Sequence, residues 1–234
     1  MMKIYDSFKI DKVVEENIIT KDDFVITEYE IEINANQYQT ILYTTPKDLK
    51  YLAIGHIFSK GLINSKEDIL SYKYDNEKSE IIIGTKKTSS LKIKLDKNPI
   101  TINRYQLFEL ISEFENKSII FKDTGAAHSC ALIKNNEIIC FFEDVSRSNA
   151  VDKLIGYILM NNLDISDKYF LSSCRISKII FDKLEKIGIN TIISVAAVTN
   201  EAIKEAKKNN INLIGFARNK RFNVYNRTKT LEIK

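Results

Sequence analysis

The sequence is poor in cysteine, histidine and tryptophan, and these shortages exclude several kinds of site. The three cysteines, Cys130, Cys140 and Cys174, form no C-x-x-C pair or other zinc-binding spacing, and an odd number cannot form a complete disulfide framework. Two histidines are too few for a histidine-rich metal site, and tryptophan is absent. We therefore expect no bound metal and a reducing compartment.

Long hydrophobic runs are also missing. No window approaches the roughly 18 consecutive apolar residues of a membrane span, and the first residues lack the apolar stretch of a signal peptide. We therefore expect a cytoplasmic protein without a membrane partner. With 234 residues, of which 44% are hydrophobic, the chain has enough apolar material for one large domain or two small ones.

The net charge of +4 is unevenly distributed. Residues 204–234 carry nine lysines or arginines against two glutamates, so the rest of the chain is slightly acidic. A basic segment suggests an anionic partner such as a phosphate, a nucleotide or nucleic acid. An ordinary solvated surface would explain the same charge run, and the charge alone leaves both explanations open.

Seven glycines and two prolines mark the element boundaries, which predict an α+β arrangement in the N-terminal half. Alternating apolar residues predict a hairpin of strands at residues 28–33 and 41–43. Thr45 as a cap and Pro46 at the first helical position predict the start of a helix that ends at Gly61. Further strands are predicted at residues 69–74, 80–84 and 91–95, and the break at residues 96–99 predicts two domains, 1–98 and 99–234.

The C-terminal half alternates between helical and strand patterns. Helices are predicted at residues 104–115, 149–160, 176–187 and 201–208. Strands are predicted at residues 118–121, 130–133, 137–142, 169–172, 191–195, 212–216 and 222–225, followed by a polar tail. This alternation predicts an α/β domain built on a largely parallel sheet.

Three polar loops follow predicted strands, where sites form in α/β sheets. They are residues 123–128, residues 143–149 leading into Asp152 and Lys153, and residues 216–221. Because the guanidinium group of arginine offers a planar fork to phosphate oxygens, we expect these loops to hold a phosphorylated ligand.

Four sequence blocks carry a resemblance to a known family. They are Thr45-Pro46-x-Asp48-Leu49 with Gly55-His56-x-x-Ser59-x-Gly61, Thr124-Gly125 with His128, Glu143-Asp144-Val145-x-Arg147-x-Asn149-Ala150-Val151-Asp152-Lys153, and Gly215-Phe216-x-Arg218-x-x-Arg221-Phe222-Asn223. In this order they resemble the FdhD/NarQ family, the formate dehydrogenase accessory sulfurtransferases. Several long blocks in sequence are far more specific than one short motif.

The resemblance implies a C-terminal three-layer fold similar to that of cytidine deaminases, without zinc. The sequence agrees, because His128 is followed by Ser129 and Cys130 rather than by a deaminase glutamate, and no Pro-Cys-x-x-Cys motif is present. It also implies a homodimer and no nucleic-acid partner.

The activity that the resemblance implies is sulfur transfer. Such proteins relay sulfur from a cysteine desulfurase to the molybdenum or tungsten bis-molybdopterin guanine dinucleotide cofactor, which then enters formate dehydrogenase. The cofactor is a bound ligand of the carrier, and GDP is a surrogate for its nucleotide end. The implied cofactor-binding residues are Thr124, Gly125, His128, Arg147, Asn149, Asp152, Lys153, Phe216, Ala217, Arg218, Asn219, Lys220 and Arg221.

The sulfur-carrying cysteines of the family have no counterpart at their expected place. The family's C-x-x-C pair lies before the Thr124 block, and this chain has no cysteine between Leu91 and Thr124. Cys130 is the best substitute, because on a strand it would share a face with His128, which could assist a thiolate. A buried, inert Cys130 fits the same sequence. Two functions therefore stay open: a sulfur carrier with Cys130 as its catalytic residue, or a non-catalytic module that binds the cofactor.

Overall fold

The computed structural model describes residues 3–87 and 98–234. The predicted strand at residues 91–95 lies outside these ranges, as does the beginning of the predicted boundary at residues 96–99. The strands are β1 (Tyr5–Val14), β2 (Asn17–Ile26), β3 (Tyr29–Ala35), β4 (Tyr38–Thr44), β5 (Ile69–Asp75), β6 (Glu80–Thr85), β7 (Ile100–Ile102), β8 (His128–Lys134), β9 (Glu137–Asp144), β10 (Tyr169–Ser172), β11 (Thr191–Ser194), β12 (Asn212–Arg218), β13 (Arg221–Asn226) and β14 (Leu231–Ile233). The helices are α1 (Leu49–Ser59), α2 (Arg104–Lys117), α3 (Ile119–Thr124), α4 (Arg147–Met160), α5 (Lys178–Ile187) and α6 (Asn200–Asn209).

The N-terminal half contains a four-stranded sheet in the order β4-β3-β6-β5. Its β3–β4 hairpin confirms the predicted pair, and Ile31 and Ile33 of β3 point into the core beside Ile81 and Ile83 of β6. Because successive strand residues face opposite sides, the glutamates that alternate with these isoleucines face outward.

Helix α1 begins later than the sequence predicts. Its first residue is Leu49, and the preceding Asp48 adopts a left-handed φ of 58°. Thr45 does not cap this helix, because its Oγ1 accepts a hydrogen bond from the backbone N–H of Val145 at 3.1 Å. The predicted cap was therefore wrong: Thr45 joins the two halves of the chain instead.

Helices α1 and α4 cross with their backbones almost in contact. A Cβ placed on Gly55 would lie 1.8 Å from the carbonyl oxygen of Asp152, and one on Gly156 would lie 1.9 Å from that of Tyr51. No side chain fits at either position, so the two glycines permit this approach. The crossing joins the N-terminal sheet and the layer of α4, α5 and α6 into one continuous hydrophobic core. The layer of α2 has a separate core.

The C-terminal half contains a six-stranded sheet in the order β13-β12-β11-β10-β8-β9. Only β10, β11 and β12 run parallel, so the expectation of a largely parallel sheet was wrong and the sheet is mixed. Two of its three antiparallel pairs, β8–β9 and β12–β13, are joined by two-residue turns, which force antiparallel pairing. The third pair, β8–β10, is antiparallel without such a turn. Asn135-Asn136 joins β8 to β9 and Asn219-Lys220 joins β12 to β13, all four residues having positive φ.

Layers of helix and strand cover both faces of this sheet. Cys130, Leu132 and Phe170 point toward α4, α5 and α6, whereas Ala131, Ile133 and Leu171 point toward α2 and the β7–β14 pair. The predicted α/β class is therefore confirmed at the level of a mixed α/β fold. The specific likeness to cytidine deaminases stays a prediction, as does the division into two domains.

Two local expectations were wrong, and one element was not predicted. Residues 118–121 belong mainly to helix α3, because the Glu143 carboxylate accepts the backbone N–H groups of Ile120 and Phe121 at 3.3 Å each. The end of the chain is not a polar tail, since β14 pairs in parallel with β7. The long β1–β2 hairpin had no counterpart in the prediction. Within the described ranges, no helix has the length and apolar character that crossing a membrane requires.

Candidate functional site

One edge of the six-stranded sheet gathers the three polar loops. Strands β10, β11 and β12 end there, and β8 begins there because it runs antiparallel to β10, with Cys130 opposite Ser172. Helices α4, α5 and α6 start at this same edge. In open α/β sheets, ligands bind outside the carboxyl ends of the strands, so this edge is the candidate site.

The first cavity at this edge, the α4–α5 pocket, has a volume of about 290 Å³. Its lining residues are Arg147, Ser148, Arg175, Ser177, Ile179, Ile180 and Thr199. Arg147 is the first residue of α4, while Ser177 and Thr199 are the N-cap residues of α5 and α6. Two arginines and three helix starts give this pocket a positive potential that suits an anion.

His128 begins β8 beside this pocket and is half-buried. Burial lowers its pKa below the ordinary value, and the nearby positive charges of Arg147 and Arg175 lower that pKa further. A neutral imidazole carries one donor and one acceptor nitrogen, so His128 offers hydrogen bonding here without adding charge.

The second cavity, the α2 cavity, lies on the opposite face of the sheet and has a volume of about 810 Å³. Its lining residues are Arg104, Tyr105, Phe108, Glu109, Ile111, Ser112, Glu115, Arg218, Asn219 and Lys220. Helix α2 supplies one wall and the β12–β13 turn supplies the other. Three cations and two aromatic rings border the same space, which is the composition of a site for an anionic ring-bearing ligand.

The stretch from Phe216 to Arg221 is divided between this cavity and the fold. Phe216 has a left-handed φ of 52°, unusual for an aromatic residue, and the Arg218 guanidinium lies 5.6 Å from the centre of its ring. Ala217 is buried against the α2 layer, and Arg221 is exposed opposite Arg218 in the β12–β13 ladder. The predicted stretch thus presents Arg218, Asn219 and Lys220 to the cavity.

The predicted residues of α4 make internal contacts. Lys153 and Asp144 are completely buried and form an ion pair of 2.6 Å, and the Lys153 Nζ also donates to the carbonyl oxygen of Thr45. The Asn149 side chain donates to the carbonyl oxygen of Tyr43 at 2.8 Å. These bonds hold the N-terminal half against the loop before α4, so they fix the position of Arg147 whatever ligand binds.

Asp152 lies at the centre of a second buried network. One carboxylate oxygen lies 3.2 Å from His56 Nδ1 and 2.5 Å from Lys183 Nζ, and the other accepts from Ser59 at 2.8 Å. Lys183 in turn donates to the Ser148 hydroxyl at 2.8 Å. Because Ser148 lines the α4–α5 pocket, this network connects the pocket to helix α1.

Thr124 and Gly125 have local roles. The Thr124 hydroxyl donates to the carbonyl oxygen of Ile120 at 2.7 Å, and Gly125, with a φ of 69°, ends helix α3. Gly125 is exposed and lies at the same edge of the sheet. Ligand binding by these residues, and by Asn149, Asp152 and Lys153, stays a prediction.

Comparison with known proteins shows the family. The profile of the FdhD/NarQ family matches residues 26–98 and 84–232 of this chain. The chain belongs to the FdhD/NarQ family. It is 34% identical to Protein FdhD of Methanocaldococcus jannaschii, over 93% of this chain and 94% of that protein. It is 31% identical to the sulfur carrier protein FdhD of Halalkalibacterium halodurans, over 93% of this chain and 92% of that protein.

A solved structure has the same fold. The crystal structure of a candidate formate dehydrogenase accessory protein from Desulfotalea psychrophila superposes with a TM-score of 0.83. The match covers 98% of this chain and all of that one, at 22% sequence identity. The two chains therefore share one fold along nearly their whole length.

The three cysteines of this FdhD/NarQ chain are all buried. Cys130 is completely inaccessible, its Sγ donates to the carbonyl oxygen of Ala150 at 3.2 Å, and burial raises its pKa well above the ordinary value. Burial also raises the pKa of Cys174, and it raises that of Cys140 to about 11. Such thiols react slowly. A catalytic role for Cys130 stays a prediction, with this burial against it.

The sequence prediction missed several residues of the two cavities. Arg175 lies just after the end of β10, and its position after a strand was the available signal. Tyr105 and Glu109 lie on α2, whose helical pattern identifies a buried face but not what the opposite face meets. Among residues 3–87 and 98–234, no cluster of three histidine, cysteine, aspartate or glutamate side chains has the arrangement of a metal site.

Proposed function

We propose that this protein is a cytoplasmic accessory protein of formate dehydrogenase that binds the bis-molybdopterin guanine dinucleotide cofactor before its insertion into the enzyme. The observation that carries the proposal is the α2 cavity, where cations and aromatic rings meet the turn at Asn219-Lys220 in a chain of the FdhD/NarQ family. Relatives named sulfur carrier protein FdhD support the accessory role.

The two cavities would divide the binding of this ligand. Arg104, Arg218 and Lys220 offer charge-assisted hydrogen bonds to the diphosphate of a guanine nucleotide in the α2 cavity. Arg147 and Arg175 offer the same chemistry to further anionic groups in the α4–α5 pocket. In this proposal the cofactor is cargo, so the residues need to bind and release it rather than transform it.

Calorimetry with GDP tests the binding step. We expect GDP to bind, with an affinity that falls as salt concentration rises, because the phosphate contacts are ionic. The double variant Arg218→Ala, Lys220→Ala removes two cations of the α2 cavity and should lower the affinity at least about tenfold, equivalent to about 1.4 kcal/mol. Lys207→Ala removes a cation that lines neither cavity and should change nothing. Unchanged GDP affinity in the double variant would refute the assignment.

A second candidate function is sulfur transfer, which the names of the bacterial relatives favour. In that step a thiolate of this chain attacks the outer sulfur of a persulfide on a cysteine desulfurase. A new S–S bond forms as the donor S–S bond breaks, and the donor cysteine leaves as a thiolate. Because Cys130, Cys140 and Cys174 are all buried, the structure favours the binding module.

Mass spectrometry distinguishes the two candidates. The protein is incubated with a cysteine desulfurase and cysteine, and a gain of one sulfur atom identifies a carrier. If sulfur is carried, Cys130→Ser should abolish the gain and Cys140→Ser should not. We expect no gain on the folded chain, because attack requires an accessible thiolate. A sulfur adduct on Cys130 would contradict this expectation and support the sulfur-carrier function.

A further inference from the structure

Helix α2 presents a second face that the Phe216–Arg221 stretch does not explain. Leu107, Leu110, Ile111 and Phe114 pack on the sheet, as the sequence periodicity requires. Tyr105, Phe108, Glu109 and Ser112 follow the spacing i, i+3, i+4 and i+7, so they form one stripe along the helix. This stripe faces the β12–β13 turn across the α2 cavity.

The stripe begins with two aromatic side chains. Tyr105 is 70% exposed, and Phe108 is held by Phe222, with ring centres 6.1 Å apart. The guanidinium of Arg104 lies 5.6 Å from the centre of the Tyr105 ring. Exposed aromatic rings bordered by cations are the surfaces on which nucleobases stack while their phosphates meet the charges.

Glu109 stands beside this surface, one helical turn after Tyr105. Its carboxylate has no ion-pair or hydrogen-bond partner among the described residues, whereas Glu113 on the same helix pairs with Lys117 at 3.8 Å. An ionised carboxylate only accepts hydrogen bonds, and it has two oxygens to do so. The base that matches it must therefore present two adjacent donors.

Guanine is the purine with that pattern. Its N1–H and its 2-amino group lie side by side and point the same way, whereas adenine presents an acceptor nitrogen at position 1. A carboxylate beside a stacked base would attract guanine and repel adenine at this edge. The cations Arg218 and Lys220 across the cavity take the phosphates of either nucleotide equally, so they provide no choice between bases.

We propose that Glu109 selects guanine in the α2 cavity, with Tyr105 and Phe108 as the stacking surface. The inference rests on the proposed function, because it concerns the nucleotide end of the same ligand. It adds a specificity residue on α2, an element that contributes nothing to the recognised sequence blocks.

Calorimetry with three nucleotides tests the proposal. The protein should bind GDP at least about tenfold more tightly than ADP, or about 1.4 kcal/mol. Inosine diphosphate keeps N1–H and lacks the 2-amino group, so its affinity should lie between the two. Glu109→Gln should weaken GDP binding and leave ADP binding nearly unchanged, which removes the preference. Tyr105→Ala should weaken both nucleotides by similar factors.

The matched control is Glu113→Gln, the same change on the same helix outside the cavity. It should keep the preference for GDP. Equal binding of GDP and ADP by the unchanged protein would overturn the role of Glu109 and leave the proposed function standing, as would a preference that survives in Glu109→Gln. Absence of GDP binding altogether would overturn both. Because Glu109 is exposed, its substitution leaves the fold intact, and circular dichroism verifies this.

Discussion

Lys153 and Asp144 show how much a single buried pair contributes to this fold. Both are completely buried, and Asp144 also accepts hydrogen bonds from the Thr44 side chain and the Ser146 backbone. Lys153→Met leaves an uncompensated carboxylate in the core, so we expect it to lower the free energy of unfolding by about 3–5 kcal/mol. Urea denaturation measures this. The exposed pair at Lys178 is the control, because Lys178→Met should cost less than about 1 kcal/mol.

His128 makes the stability of the molecule depend on pH in a stated direction. Its pKa in the folded protein lies below the ordinary value of 6.5, so on acidification the unfolded chain takes up a proton before the folded chain does. The contribution of the neutral His128 to the free energy of unfolding is therefore complete above pH 6.5. It is lost as the pH falls through the pKa of the folded state. Urea unfolding from pH 7.5 down should therefore show a steeper loss for the unchanged protein than for His128→Gln. Parallel curves would contradict the lowered pKa.

At the scale of elements, the crossing of α1 and α4 depends on two glycines. Because the Cβ of Gly156→Ala would lie 1.9 Å from the backbone oxygen of Tyr51, the helices must separate. We expect the free energy of unfolding, measured with urea, to fall by at least about 3 kcal/mol, which is the upper end of the usual cost of overpacking. Gly84→Ala is the control, since the only close contact of its Cβ would be the hydroxyl of Ser71 at 2.5 Å, which can rotate away. Equal losses in the two variants would show that the crossing is not tightly packed.

Elements with strong local signals were predictable from the sequence. Asn135-Asn136 predicted the β8–β9 turn, and the helical spacing of apolar residues predicted α2 and α4. Helix α3 was not predictable, because Ile119-Ile120-Phe121 suits either a strand or a helix. The helix is favoured by the Glu143 carboxylate, which lies in a distant segment of the sequence and accepts the backbone N–H of Ile120. The β1–β2 turn carries Glu15-Glu16 instead of asparagine or glycine, so it lacked a turn signal although Glu15 adopts a φ of 52°.

The candidate site, like the fold, was only partly predictable from the sequence. The loops after strands identified the sheet edge, since parallel strands bring their carboxyl ends together. The face of α2 that meets the β12–β13 turn depends on how the helix packs, and no residue spacing encodes that. The buried cluster around Asp152 joins α1, α4 and α5, which are far apart in the sequence. From the sequence alone, Lys183 is only a charged residue on an apolar helix face, because its partner Asp152 lies on another helix.

At the scale of the whole molecule, the β1–β2 hairpin is the least protected feature. It pairs with no other strand of the described chain, and seven of its large apolar side chains are exposed: Phe8, Val13, Val14, Ile18, Ile19, Phe24 and Val25. An isolated two-stranded hairpin is only marginally stable in water. We therefore expect these apolar side chains to pack against another surface. Residues 5–26 contain six acidic residues against three lysines, complementary to the basic segment 204–234. We propose that a second copy of the chain supplies that segment, and we therefore expect a homodimer.

Light scattering of two hairpin variants tests this assembly. Phe8 and Ile19 lie on one face of the hairpin and are 54% and 53% exposed, so replacing both by glutamate should not disturb the core. We expect the unchanged protein to have twice the chain mass of 27.0 kDa and Phe8→Glu, Ile19→Glu to have the mass of one chain. Leu70 on β5 is 65% exposed, and the control variant Leu70→Glu should remain dimeric. A dimer that survives the double substitution would place the interface elsewhere, and a monomeric unchanged protein would refute the homodimer.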